Sequence, residues 1–215
     1  MPQKRQAPCP SAQRKKPNST GSCERGEMRL EKAVSVGALA LAFFLAVAGK
    51  PVSADPLGLN DYAALFEKYP DRITPGLKND TTLTLPDGVK IVRREDNYVG
   101  FDPKGGVGCL VAGFIEIDAL SRHCPQLMDE DQTARFAAQR TRLLGFYAQN
   151  AYPPVSAERA RAVYEAVIAG RMNNKTSCAT SLVDNARMFL PGLLDPRELE
   201  KNLSVPRLPV RHPCL

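Results

Sequence analysis

Cys109-Leu-Val-Ala-Gly-Phe-Ile-Glu-Ile-Asp-Ala-Leu-Ser-Arg-His-Cys124 is the stretch on which the fold turns. At helical spacing, Leu110, Phe114 and Ile117, with Val111, Ile115 and Leu120 beside them, make one apolar face. At period two, Phe114-Ile-Glu-Ile-Asp118 alternates as a strand does. We take the helix, and the choice constrains the cysteines. Across the 15 residues from Cys109 to Cys124 a helix rises about 22 Å, whereas bridged Cα atoms lie within about 7 Å. The two cysteines that bracket the stretch therefore do not join each other.

Beyond Cys124 the pattern stays helical. Asp129 or Asp131 can cap a helix reaching about Asn150, with Phe136, Leu143, Leu144 and Tyr147 on one face and Arg135, Arg140 and Arg142 on the other. Pro153-Pro154 breaks the chain and Ser156 can cap the next helix. Its apolar residues Ala160, Val163, Tyr164, Val167 and Ile168 recur at three and four residues until Gly170. A further helix follows Asn173-Asn174, placing Ala179, Leu182, Val183, Ala186 and Phe189 inward and ending at Pro191-Gly192. The tail from Leu193 holds four prolines and should wrap over the surface.

Before Cys109 the character is different. Tyr62, Leu65, Phe66 and Tyr69 suit a short helix that Pro70 stops. Thr81 to Leu85, the turn Pro86-Asp87-Gly88 and Val89 to Val92 read as a hairpin, to which Tyr98, Val99 and Phe101 could add a third strand. The expected fold is mainly α (α+β): a small up-down bundle of about four helices (roughly 110 to 123, 130 to 149, 156 to 170 and 176 to 190) with an N-terminal β-hairpin, stapled by two disulfides. Up-down order brings Cys124 to the same end as Cys178, and the returning tail brings Cys214 to Cys109.

Four cysteines can be paired because of what precedes them. Residues 33 to 49, AVSVGALALAFFLAVAG, are apolar, follow Arg29 and Lys32, and are followed by Val52-Ser53-Ala54. A basic start, an apolar middle and small residues at −3 and −1 describe a secretory signal cut between Ala54 and Asp55. At 17 residues the run could also be an uncleaved anchor, and either way residues from 55 onward lie outside the cytoplasm. That compartment oxidises thiols, so Cys109, Cys124, Cys178 and Cys214 read as two bridges. Residues 1–27, rich in Pro, Ser, Lys, Gln and Arg, read as a disordered leader or a start assigned too early, with Met28 the initiator. Residues 28–54 are then the signal peptide, 55–108 the short helix plus hairpin region, and 109–215 the helical region, with 55–215 one globular domain.

Charge tells the same story. The chain carries 29 Lys and Arg against 23 Asp and Glu, but residues 1–54 hold nine of the basic and three of the acidic ones. The rest is neutral, so the basic excess points to no nucleic-acid partner, and a membrane is touched only through an uncleaved leader.

The chemistry-bearing candidates are few. Lys104-Gly-Gly-Val-Gly108 opens like a phosphate-binding loop but continues with Cys109-Leu110, lacking the Lys and hydroxyl that chemistry needs; it reads as a flexible loop. Glu116, Asp118 and His123 form the nearest polar cluster. Glu116 and His123 share a face, yet Asp118 and Arg122 at i and i+4 suit an exposed ion pair, and no third or fourth metal ligand is indicated. His123 beside Cys124 points away from it. No C-x-x-C, H-E-x-x-H, G-x-S-x-G or S-x-x-K pattern occurs, and no cofactor is implied. Asn79, Asn174 and Asn202 begin glycosylation-type triplets. The expected function is an exported cell-envelope protein acting as a non-enzymatic binding or accessory module on an envelope protein partner. Its candidate surface is the Arg93-Arg94-Glu95-Asp96 turn with Tyr98 and the arginine side of the second helix. The alternatives are a small hydrolase or metal-dependent enzyme built on Glu116 and His123, and a membrane-tethered assembly component.

Overall fold

The computed structural model describes residues 55–76, 79–172 and 178–214. The leader, the Ala54 side of the expected cleavage site and the triplet beginning at Asn174 lie outside them. Among the described residues the chain is a mixture of six α-helices and a small antiparallel sheet, with two 3₁₀ turns.

Helix α1 (Tyr62–Lys68) starts where the Asp61 side chain accepts a hydrogen bond from the Ala64 N–H at 2.9 Å, and buries Tyr62, Leu65 and Phe66. Four strands follow, β1 (Ile73–Pro75), β2 (Thr81–Thr84), β3 (Lys90–Arg94) and β4 (Asn97–Phe101), paired in chain order as an antiparallel meander. The register aligns Ile73, Leu83, Ile91 and Gly100 on one face. Leu83 and Ile91 there are fully buried, which is the period-two rule at work. Asp87 accepts from the Val89 N–H at 3.0 Å, and Gly88 at φ +90° supplies the left-handed residue the β2–β3 turn needs.

The helical part comprises α2 (Val107–His123), α3 (Glu130–Asn150), α4 (Ala157–Met172), α5 (Thr180–Leu194) and α6 (Pro196–Leu203). The stretch that could alternate as a strand is therefore helix throughout. A reciprocal capping box between Asp129 and Gln132 opens α3, and the Ser156 hydroxyl accepts from the Arg159 N–H to open α4. Helix α3 packs against α2, α4, α5 and α6. Val111, Phe114, Phe136, Leu143, Tyr147, Tyr164, Ile168 and Leu190 belong to the helical core. A second apolar cluster joins α1, the sheet and the C-terminal tail through Tyr62, Leu65, Leu83, Ile91, Leu208 and Val210. Cys109 pairs with Cys214 and Cys124 with Cys178, at Cα separations of 5.3 and 5.7 Å.

The expected bundle of about four helices with an N-terminal hairpin is too simple. The hairpin is two strands of a four-stranded sheet whose first strand, Ile73-Thr-Pro75, is too short to show alternation. Helix α5 runs past Pro191 to Leu194: the proline's missing N–H and its crowding of the carbonyl four residues back are offset by the burial of Leu190 and Leu194, which hold the last turn. Asp195 then caps α6, its carboxylate accepting from the Arg197 N–H at 2.9 Å with Pro196 at the first helical position. The tail does not merely wrap the surface, since Leu208 and Val210 lie in the second core.

Candidate functional site

The cluster that the sequence singles out, Glu116, Asp118 and His123, is not brought together as a reactive centre. Asp118 lies one turn after Phe114 on the buried stripe of α2, and only 4% of it is exposed. Its pair with Arg122, expected on the surface, is therefore the edge of a buried node. Oδ1 accepts from Arg122 Nε at 2.8 Å, and Oδ2 from Arg140 Nη1 at 2.5 Å and the Tyr164 hydroxyl at 3.1 Å. Arg122 continues to Glu165 at 2.7 and 3.0 Å. Glu165, with Asp118, holds the Arg122 guanidinium firmly protonated, and burial followed by the Asp118 charge pushes the Tyr164 phenol up. A carboxylate so engaged fastens α2 to α3 and α4, its charge shared between two guanidinium partners. Glu116 instead pairs with Arg171 at 3.1 Å, and His123 is exposed at the end of α2. Among the described residues no three His, Cys, Asp or Glu side chains group as metal ligands.

The glycine-rich loop has a different use from the phosphate cradle it resembles. The protein's own C-terminal segment fills it. A Cβ on Gly106 would lie 2.6 Å from the Arg211 carbonyl oxygen, one on Gly108 2.8 Å from the Val210 backbone, and one on Gly100 2.4 Å from Val210 Cγ1. Only glycine admits this approach. The Gly108 N–H donates to Val210 O at 2.8 Å, and His212 bridges in parallel to Phe101 at the edge of β4. Arg207 locks the seat. Its Nε donates to Asp102, Nη1 to Asn202 O and Val205 O at 2.8 and 3.0 Å, and Nη2 to Gly105 O at 3.1 Å. Both side chains of the pair are almost wholly buried, at 2% and 1% exposure.

Asp55, at the expected cleavage point, is a third buried carboxylate, 3% exposed. Oδ1 accepts from the Leu57 N–H at 2.9 Å and from the Tyr147 hydroxyl, and Oδ2 from the Asn60 N–H at 2.6 Å. Burial pushes its carboxyl up, against the backbone hydrogen bonds that pull it down. Beside it the Tyr62 hydroxyl is buried, and burial followed by the Asp55 charge raises its pKa. An open cleft of about 420 Å³ borders residues 58–63 and Tyr98. A second, of about 270 Å³, lies between Tyr69, Asp87 and Tyr152. Neither includes Glu116, Asp118 or His123.

The arginine faces are largely spent on internal pairs. Arg135 meets Asp131 at 2.8 Å, Arg142 meets Glu200, and Arg94 meets Asp80 at 2.7 Å. Arg93 lies 4.8 Å over the Phe66 ring, and Tyr98 stacks on Tyr62 at 5.3 Å. What sequence reasoning missed is apolar. Phe189, expected inward, is 55% exposed and its neighbour Met188 70%. The buried stripe of α5 runs Val183, Ala186, Leu190 and Leu194, so the i+4 step from Ala186 to Leu190, rather than i+3 to Phe189, was the available signal. No helix of the described residues is long and apolar enough to cross a membrane. Set against known protein families, curated proteins and solved structures, the chain matches none.

Proposed function

We propose that the chain is an exported cell-envelope protein whose folded part is a binding or accessory module, working through its surface on an envelope protein partner without a cofactor or catalytic centre. The export reading rests on the leader pattern, and the two cysteine pairs fit an oxidising extracellular or periplasmic setting. The binding reading rests on one observation: Met188 and Phe189, consecutive residues of α5, are both exposed, while Glu116, Asp118 and most of the candidate arginines are paired within the chain. Adjacent large apolar side chains left in water are a feature of recognition surfaces.

A photo-crosslinking residue at position 189 tests this in the producing cell, with the same residue at exposed Glu158 on α4 as control. The expected result is a discrete adduct of one mass from position 189, absent from position 158 and lost in Met188→Gln. Equal, diffuse labelling from both positions would count against a specific surface.

A further inference from the structure

We propose that the cleft of about 270 Å³ beside Tyr69 and Tyr152 is a binding site for a neutral saccharide, one pyranose ring packed on the tyrosines. The inference is independent of the α5 surface, since none of the residues bordering the cleft belongs to α5. Four separate segments build it: the end of α1, the β2–β3 turn, the end of α3 and the C-terminal tail. Leu65, Leu85 and Leu208 are buried and supply its apolar surface, and Tyr69 and Tyr152 are half-buried beside them. The two tyrosines are fixed in advance. The Tyr69 N–H donates to Leu65 O at 3.2 Å, the Tyr152 N–H donates to Asn60 Oδ1 at 3.0 Å, and Tyr152 O accepts from the Asp61 N–H at 2.6 Å. Lys68 Nζ lies 5.2 Å from the centroid of the Tyr69 ring and 4.8 Å from that of Tyr152, so one ammonium orients both rings.

The side chains around the cleft select the ligand. Asp87 is a fixed acceptor: Oδ1 takes the Val89 N–H at 3.0 Å and Oδ2 the Leu208 N–H at 3.3 Å, and each oxygen has a second lone pair to offer a hydroxyl. Asn150 spends one Nδ2 hydrogen on Phe146 O at 2.8 Å and keeps the other, with Oδ1, for a ligand. An anion would meet the Asp87 carboxylate, and a cation would meet the Lys68 ammonium already held against both rings. A neutral molecule with hydroxyls on its edge and C–H bonds on one face meets neither obstacle. The C–H groups of a pyranose carry partial positive charge and pack on the negative face of a tyrosine ring. Its hydroxyls donate to Asp87 and exchange hydrogen bonds with Asn150. The volume agrees with a small ligand, because pockets for drug-sized molecules run about 300–1,000 Å³ and this cleft falls just below that range.

The test titrates the full-length, oxidised protein, labelled with nitrogen-15 and kept free of glycosidic detergents, with the methyl glycosides of glucose, galactose, mannose and N-acetylglucosamine. A ligand of about a dozen heavy atoms at ordinary efficiency binds with a Kd on the order of 1 mM. At least one glycoside should saturate in that range and shift the amides of residues 85, 87 and 150–152, with nuclear Overhauser contacts from its ring C–H protons to the Tyr69 or Tyr152 ring. Tyr152→Leu keeps apolar bulk but removes the ring and should weaken that glycoside about 3- to 10-fold, whereas Tyr152→Phe keeps the ring and should cost less than about twofold. Where a variant fails to fold, the Overhauser contacts in the wild type decide the matter without any substitution. No shift at these residues from any of the glycosides, at up to about 50 times the expected Kd, would overturn the proposal. Tetramethylammonium shifting the same amides more strongly than every glycoside would also overturn it, in favour of a cation cage. Either failure leaves the α5 surface to its own crosslinking test.

Discussion

Replacing Arg207 by Met removes the guanidinium that fastens the C-terminal segment to its glycine-lined seat. The side chain is replaced by an apolar one of similar length, so the effect is electrical more than steric. Asp102, 1% exposed at its side chain, loses its counter-charge, and the carbonyls of Asn202, Val205 and Gly105 lose their donors. Breaking a buried ion pair from one side costs about 3–5 kcal/mol, a large part of the ~5–15 kcal/mol that a domain has in total. With a urea dependence of about 2 kcal/mol per molar, the unfolding midpoint should fall by about 1.5–2.5 M. The assay is urea unfolding of the purified protein followed by far-ultraviolet circular dichroism. Asp102→Leu combined with Arg207→Met should cost clearly less than the two single changes added, since no charge is stranded. A single-variant loss below about 1 kcal/mol, on the scale of surface pairs, would refute the claim that this pair holds the tail in place.

Further outcomes follow from the same contacts. Gly108→Ala, which drives a methyl to 2.8 Å from the Val210 backbone, should destabilise by about 1–3 kcal/mol, whereas Gly145→Ala in α3, where nothing lies within 4 Å, should stabilise by up to about 1 kcal/mol in parallel thermal melts. Removing Cys124–Cys178, which closes a separation of 54 residues, by Ala at both positions should cost about 4 kcal/mol, read by urea titration. Asp55 has a carboxyl raised above its ordinary value of 3.8, chiefly by burial, so the folded state holds its proton more tightly than the unfolded state. Its contribution to stability therefore falls as pH rises from 3.8 through the raised value and is flat beyond. Unfolding free energies of wild type minus Asp55→Asn should decrease across that window, and an increase would contradict the assignment.

How far the fold could be read ahead depended on length and on which neighbours a residue meets. Helix α4 was legible because Ala160, Tyr164 and Ile168 repeat over several turns, and α3 because Asp129 stands before a long amphipathic pattern. Cys109 and Cys124 could be separated by geometry alone, since a helix between them keeps them apart. Helix α6 was hidden because its eight residues bury only Leu199, leaving no stripe to see. Burial of Leu208 and Val210 could not be read from a proline-rich tail, because it depends on glycines about a hundred residues earlier leaving room. The loop Lys104 to Gly108 carries a visible signal, closely spaced glycines, whose meaning of close backbone approach is shared by a ligand cradle and a tail seat. Asp118 and Asp55 show the same limit. An acidic residue beside a basic one four positions on looks like a surface pair until Arg140 and Tyr164 arrive from other helices, and nothing near Asp55 in sequence announces Tyr147.

The most direct test of the whole account is a mass and non-reducing peptide map of the protein recovered from its producing cell. The account predicts an envelope or secreted chain beginning at Asp55, with Cys109 linked to Cys214 and Cys124 to Cys178. A full-length cytosolic chain with all of these thiols free would contradict it.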